Sequence, residues 1–122
     1  MTATDRHGLS GLGGLGGLDA AGIAAAVRGG EISATAVVEA TLARIAATDD
    51  GIHAFTEVTR GQALRRAGQI DASLQSSAAQ RTRELPLLGV PFAVKNLIDI
   101  AGITTTAGAR IERDTAPANA DA

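Results

Sequence analysis

Through most of the first 75 residues, apolar positions recur three or four apart, and that spacing predicts helices. Ile23 and Val27 stand four apart behind Asp19, a residue suited to capping a helix start, and Gly29-Gly30 supplies the stop. Ser33 is the next N-cap. Val37, Val38, Leu42 and Ile45 then hold one face through to about Ala47, where Asp49-Asp50-Gly51 ends it. Residues 52–59 (IHAFTEVT) mix β-branched and aromatic types and read as a short extended or irregular link. A third helix is expected from Gly61 to about Leu74, with Ala63, Ala67, Ile70 and Leu74 as a narrow stripe able to pack closely on a partner. Residues 73–83 (SLQSSAAQRTR) are polar and read as a connection.

The pattern then changes. Residues 87–94 are nearly all apolar, and Gly89-Val90-Pro91 leads into Phe92-Ala93-Val94, predicted as a short buried strand with Pro91 near its start or at an edge. Leu97, Ile98 and Ile100 prolong the apolar segment, Ala101-Gly102 predicts a turn, and residues 104–108 a loop of small residues. Residues 110–122 are polar, with Ala and Pro117. Helices followed by a strand give an α/β class. Ahead of all this, residues 1–18 repeat Gly and Leu. Gly11, Gly13 and Gly16 match the spacing G-x-G-x-x-G, but a dinucleotide loop needs a strand before it, and residues 1–10 carry no strand pattern. Residues 1–18 therefore read as a flexible Gly-rich leader and residues 19–122 as the folded part.

Composition narrows the picture. A chain of 122 residues can form one small domain that buries roughly two-thirds of its unfolded surface. Large rings dominate core energetics, yet Phe55 and Phe92 are the only aromatic residues, so this core rests on Ala, Val, Leu and Ile and looks like part of a larger one. A net charge of −2 is too near neutral for a nucleic-acid footprint, and no face gathers basic residues with aromatics. With no cysteine there is no disulfide framework and no thiolate metal site, which fits a reducing cytoplasm. No apolar run approaches the ~20 residues of a membrane span, and the N-terminus lacks the basic-then-apolar layout of a signal peptide. His53 has no acidic neighbour at ligand spacing and reads as a surface or packing residue. Ser76-Ser77 has nothing around it to build an oxyanion site and reads as solvated loop.

One residue stands out against this background. Lys95 is the only lysine among 11 basic residues, and it ends the most strand-like segment of the chain. A guanidinium stays protonated in proteins, whereas a buried ammonium can lose its proton and act as a base. On composition alone the ordinary reading is drift within an Arg-rich chain. The residues around Lys95 change that.

The segment resembles the amidase signature family, Ser-dependent hydrolases of amide bonds, whose approach to a catalytic lysine runs close to P-L-x-G-V-P-x-A-V-K-D-x-x-D-V-A-G-x-x-T-T-x-G-S. Pro86-Leu87, Gly89-Val90-Pro91, Ala93-Val94-Lys95, Asp99, Ala101-Gly102, Thr105 and Gly108 fall in register with it. Upstream, Gly30-Glu31-Ile32-Ser33, Ala54-Phe55 and residues 67–71 are also similar, so the resemblance extends over about residues 18–122. It implies N-terminal helices around a mixed sheet, with the first strand or strands present here and the fold incomplete. It also implies a Ser–cis-Ser–Lys triad in which Lys95 is the base and a backbone-amide hole holds the oxyanion. Such a base must be kept unprotonated, and Phe92, Val94, Leu97 and Ile98 are the apolar surroundings expected to favour that.

Two positions depart from the pattern: Asn96 stands where many members have Asp, and Ala109 where most have Ser. Asn96 and Phe92, with Arg113 and residues 116–122, look most like the amidohydrolases of the 1-carboxybiuret hydrolase type. The Gly-Ser-rich segment that carries both serines in the family is not found in these residues. The chain is thus expected to be the N-terminal part of a longer amidase, inactive alone and acting in full on a small urea-like or carboxamide substrate. Triad chemistry calls for no metal and no organic cofactor. Implied partners are a small-molecule amide and either a second copy or a small helical subunit, with neither nucleic-acid contact nor membrane. The subunit that amidates glutamyl-tRNA is the nearest alternative, although it usually keeps Asp after the lysine. A non-enzymatic helical interaction module accounts equally well for the first 80 residues, but leaves the sole lysine unexplained.

Overall fold

The computed structural model describes residues 17–122. Gly11, Gly13, Gly16 and the rest of residues 1–16 lie outside them. The described chain divides into two compact units, one ending at Pro91 and the other formed by Phe92–Ala122.

Three of the helices in the first unit follow the predicted spacing. Helix α1, Ala20–Gly29, starts at Asp19, whose carboxylate accepts from the Gly22 amide at 2.7 Å. It ends on Gly30 in the left-handed region, where the Gly30 and Glu31 amides return to the carbonyls of Val27 and Ala26. Helix α2, Ala34–Thr48, runs into a 3₁₀ turn at Asp49–Gly51. Helix α3, Arg60–Leu74, is followed by α4, Ala79–Arg83, a single turn and a half that the polar composition of its segment does not announce. Residues 52–59 are irregular, as expected.

At the start of α2 every early amide finds an acceptor. Ser33 Oγ accepts from the Ala36 amide at 3.0 Å, and the Ser33 carbonyl accepts from Val37. Asp71, from the far part of α3, takes the other two: Ala34 N–H donates to Oδ1 at 2.7 Å and Thr35 N–H to Oδ2 at 3.0 Å. The Thr35 hydroxyl adds a bond to Oδ2 at 2.6 Å. A half-buried carboxylate thus satisfies two orphan donors and meets the positive end of the helix dipole.

The core forms where α1, α2 and α3 meet. Val27, Ala34, Val37, Val38, Leu42 and Ala67 are buried, and Ile23, Ile32, Ala63, Leu64, Ile70 and Leu74 flank them. Leu88, only 1% exposed, joins this cluster from beyond the helices. Burying a side chain of that size contributes about 1.5–3 kcal/mol. Its neighbour Gly89 has φ +72°, and a Cβ there would stand 3.0 Å and 3.1 Å from the two methyls of Val27 and 3.3 Å from Ala34 Cβ. Only glycine meets both demands. Arg28 closes the approach to this seat, its Nε donating to the Arg83 carbonyl at 2.8 Å and its Nη2 to the Leu85 carbonyl at 3.1 Å.

The expected strand is not there. No strand occurs among the described residues, and residues 92–94 form no ladder with any of them. Phe92 is 85% exposed, and Leu85 and Leu87 are also exposed. An apolar run becomes a strand only where a neighbour accepts its ladder of hydrogen bonds, and the described residues offer none. In the second unit, hydrogen bonds link two lengths of irregular chain instead. The Gly102 amide donates to the Ala118 carbonyl at 2.8 Å, Ala118 N–H to the Ile103 carbonyl at 3.0 Å, and Ala122 N–H to the Asp99 carbonyl at 3.1 Å. A 3₁₀ turn at Arg110–Asp114 connects them.

Two substitutions probe these contacts. Asp71→Ala removes three bonds to a charged acceptor and lowers unfolding stability by about 1.5–3 kcal/mol, read as a shift of the urea midpoint with an unchanged slope. Gly89→Ala forces an L-residue into the left-handed region against Val27, costing about 2 kcal/mol in the same measurement. A Gly89→Ala midpoint equal to wild type would contradict the close approach.

Candidate active-site segment

Lys95 follows directly on Val94 in the second unit, and its side chain is exposed. The apolar shelter expected around it is not formed: Leu97 and Ile98 are 57% and 51% exposed, and Phe92 more so. These residues have no layer of chain against them among the described residues, so their apolar surface faces solvent. The backbone of Lys95, by contrast, is held. Its carbonyl accepts from the Leu97 amide at 2.7 Å and from the Ile98 amide at 3.1 Å, closing a tight turn immediately after the lysine.

Asn96 is the hub of the loop beyond that turn. Its side-chain oxygen accepts from the Thr106 amide at 3.1 Å, and its Nδ2 donates to Thr106 Oγ1, also at 3.1 Å. Its backbone carbonyl accepts from the Ala107 amide at 2.9 Å. One half-buried residue therefore binds a loop ten positions ahead by three bonds, using both the donor and the acceptor ends of its amide. Beside it, Thr105 Oγ1 donates to Asp99 Oδ1 at 2.5 Å, Thr104 Oγ1 to the Thr115 carbonyl at 3.0 Å, and the Ala101 amide to Asp121 Oδ1 at 2.8 Å. The three consecutive threonines are thus fasteners, each with its own partner.

The loop turns back at residues 106–109. The Ala109 amide donates to the Thr106 carbonyl at 2.7 Å, and both central residues have positive φ, Ala107 at 49° and Gly108 at 78°. That is the backbone of a type I′ turn, which favours Asn or Gly at its first central position. Ala107 occupies it at a steric cost.

Asp99, Thr105 and Gly108, matched in the sequence pattern, gather around this loop with Asn96. The roles of Thr106 and Asp71 are not marked in the sequence. The side-chain amide of Asn96 is the signal that points to a clasp, but its partner is found only from the fold. His53 and Ser76-Ser77 lie in the other unit. His53 is exposed with φ 54°, and Ser76 Oγ is spent on the Ser73 carbonyl at 2.8 Å and the Ala78 amide at 3.1 Å. Among the described residues no group of three or more His, Asp or Glu is placed to hold a metal ion, and no helix is long and apolar enough to cross a membrane.

The chain is 46% identical over 96 residues to the 1-carboxybiuret hydrolase subunit AtzE of Pseudomonas sp. (strain ADP), covering 79% of this chain and 20% of that protein. It is 42% identical over 94 residues to the glutamyl-tRNA(Gln) amidotransferase A-type subunit of Mycolicibacterium vanbaalenii, covering 76% and 19%. A solved structure, described as a vestigial protein complex that reveals the evolutionary origins of an s-triazine catabolic enzyme, matches at a TM-score of 0.77 and 43% identity. That match covers 86% of this chain and 22% of the other. The chain therefore spans about a fifth of the length of the curated relatives it matches. A family model described as Amidase matches residues 36–122, and the chain belongs to that family, the amidase signature family.

Proposed function

We propose that residues 19–122 are the N-terminal part of an amide hydrolase acting on C–N bonds, and that Lys95 is the base of its Ser–cis-Ser–Lys triad. The observation that carries this reading is the position of the chain's sole lysine. It stands in register with the family's catalytic lysine, on a backbone pinned by the Leu97 and Ile98 amides. The two serines belong to the four-fifths of the domain that lies beyond the matched residues of the relatives.

In this scheme the neutral amine of Lys95 takes a proton from the bridging serine, which takes one from the nucleophilic serine as that oxygen adds to the substrate carbonyl. Backbone amides hold the oxyanion. Collapse of the tetrahedral adduct breaks the C–N bond, and the proton returns through the same relay to the leaving nitrogen. Water then repeats the sequence on the acyl-serine. Every step moves protons and an acyl group, so none calls for a metal or an organic cofactor.

The apolar surface left open on Phe92, Leu97 and Ile98 supports this reading from another side. A mixed sheet laid over it would pair residues 92–94 as a strand and shelter the lysine, giving the α/β architecture. The substrate class is a small urea-like or carboxamide compound, in line with the likeness to a 1-carboxybiuret hydrolase subunit. The cysteine-free composition supports a cytoplasmic setting. A second reading, a subunit that amidates glutamyl-tRNA beside a small helical partner, has in its favour the likeness to amidotransferase A-type subunits.

The test uses the full-length gene product that contains residues 1–122. Assayed alone on small carboxamides and biuret-type ureas, it releases ammonia, and Lys95→Ala lowers turnover by about 10²–10⁴-fold with the melting temperature retained. Wild-type turnover in Lys95→Ala would overturn the assignment. Glutamine-dependent activity that requires added partner subunits would select the amidotransferase reading.

A further inference from the structure

We propose that Asn96 is a positioning residue for Lys95, fixing the direction in which the lysine stem leaves the backbone; this rests on the assignment of Lys95 as the base. Lysine is a long, flexible arm with about 2 kcal/mol of rotamer entropy to lose when ordered. A base on such an arm is placed well only if its Cα is fixed first. Two successive carbonyls do this. The Lys95 carbonyl is held by the Leu97 and Ile98 amides, and the Asn96 carbonyl by the Ala107 amide. The Asn96 side chain then locks the same peptide onto Thr106 with a donated and an accepted bond, both 3.1 Å.

Strain in the loop that receives the clasp points the same way. Ala107 sits at φ 49°, where a non-glycine residue persists only when its surroundings over-determine it. The Ala107 amide bonded to Asn96 at 2.9 Å and the Thr106 carbonyl bonded to Ala109 at 2.7 Å are those surroundings. The loop thus spends steric energy to present its amide to residue 96. A loop that merely linked two segments would have no need of that geometry.

The amide of Asn96 is suited to this role because it supplies both ends of the clasp and adds no charge beside the lysine. A carboxylate there would still accept from the Thr106 amide and could accept from the Thr106 hydroxyl, so Asp retains the clasp with the hydroxyl reversed. Alanine retains neither side-chain bond.

The test is a double-mutant cycle in the full-length enzyme, with kcat, KM and melting temperature read for each protein. Asn96→Ala lowers kcat by about 10- to 100-fold, the range that a 1 Å misplacement produces, with KM within about twofold of wild type. Asn96→Asp restores most of the loss. In the Lys95→Ala background Asn96→Ala costs nothing more, because the group it directs is gone. An equal loss in both backgrounds would reduce Asn96 to a loop fastener and overturn the proposal, as would full kcat in Asn96→Ala. Should Asn96→Ala fail to fold, Thr106→Val, which keeps the backbone bond to Oδ1 and deletes the hydroxyl, carries the same cycle with the same criteria. Lys95→Ala with wild-type turnover removes the base itself, and both readings fall. An inactive Lys95→Ala beside a fully active Asn96→Ala refutes only the positioning role.

Discussion

Gly89 lies so close to Val27 and Ala34 that no side chain fits between them, and the seating of Leu88 in the core of the first unit depends on that approach. Val27 belongs to the last turn of α1, and Ala34 is the first residue of α2. Whatever fixes the corner between these helices therefore fixes the seat. Asp71 fixes the α2 side of that corner from α3, because its carboxylate caps α2 at Ala34 and Thr35 and so ties the two helices together. Leu88 fills the adjoining space, and Arg28 gathers the carbonyls ahead of it. A polar contact worth a few kcal/mol thus aligns an apolar junction that would otherwise have freedom to slide.

The helices were legible because their signals are local. Ile23 with Val27, and Val37, Val38 and Leu42, carry the period of a buried face, and Asp19 and Ser33 make the cap bonds that their types suggest. Helix α4 was not legible: its five residues, AQRTR, hold no apolar repeat, and it is a local turn held by backbone bonds. The Asp71 cap was invisible for a different reason, since its partners lie 36 and 37 positions away and no short-range pattern encodes the meeting. Phe92-Ala93-Val94 has strand composition, but composition specifies only half of a strand. The other half is a neighbour's backbone.

The same division holds for the candidate site. Lys95 is marked as a candidate by its rarity and its register with a family pattern, which are properties of the sequence. The clasp is not marked in this way, because Asn96 in place of the family's usual Asp reads only as a mark of the 1-carboxybiuret hydrolase type until Thr106 is seen opposite it. Both oxygen and nitrogen of the amide are used.

Residues 92–122 contain no buried side chain, so their order comes from hydrogen bonds that water can reach. Such bonds contribute little individually, and each can open without disturbing a core. On the time axis this separates the two units. Amides within α2 and α3 are protected by packing and exchange their protons only through large openings, whereas those of Ala107, Ala109 and Ala118 exchange through local ones. The part of the chain that carries the lysine is thus the part whose rigidity can be raised most by an added layer, and its order is available to be coupled to the docking of that layer.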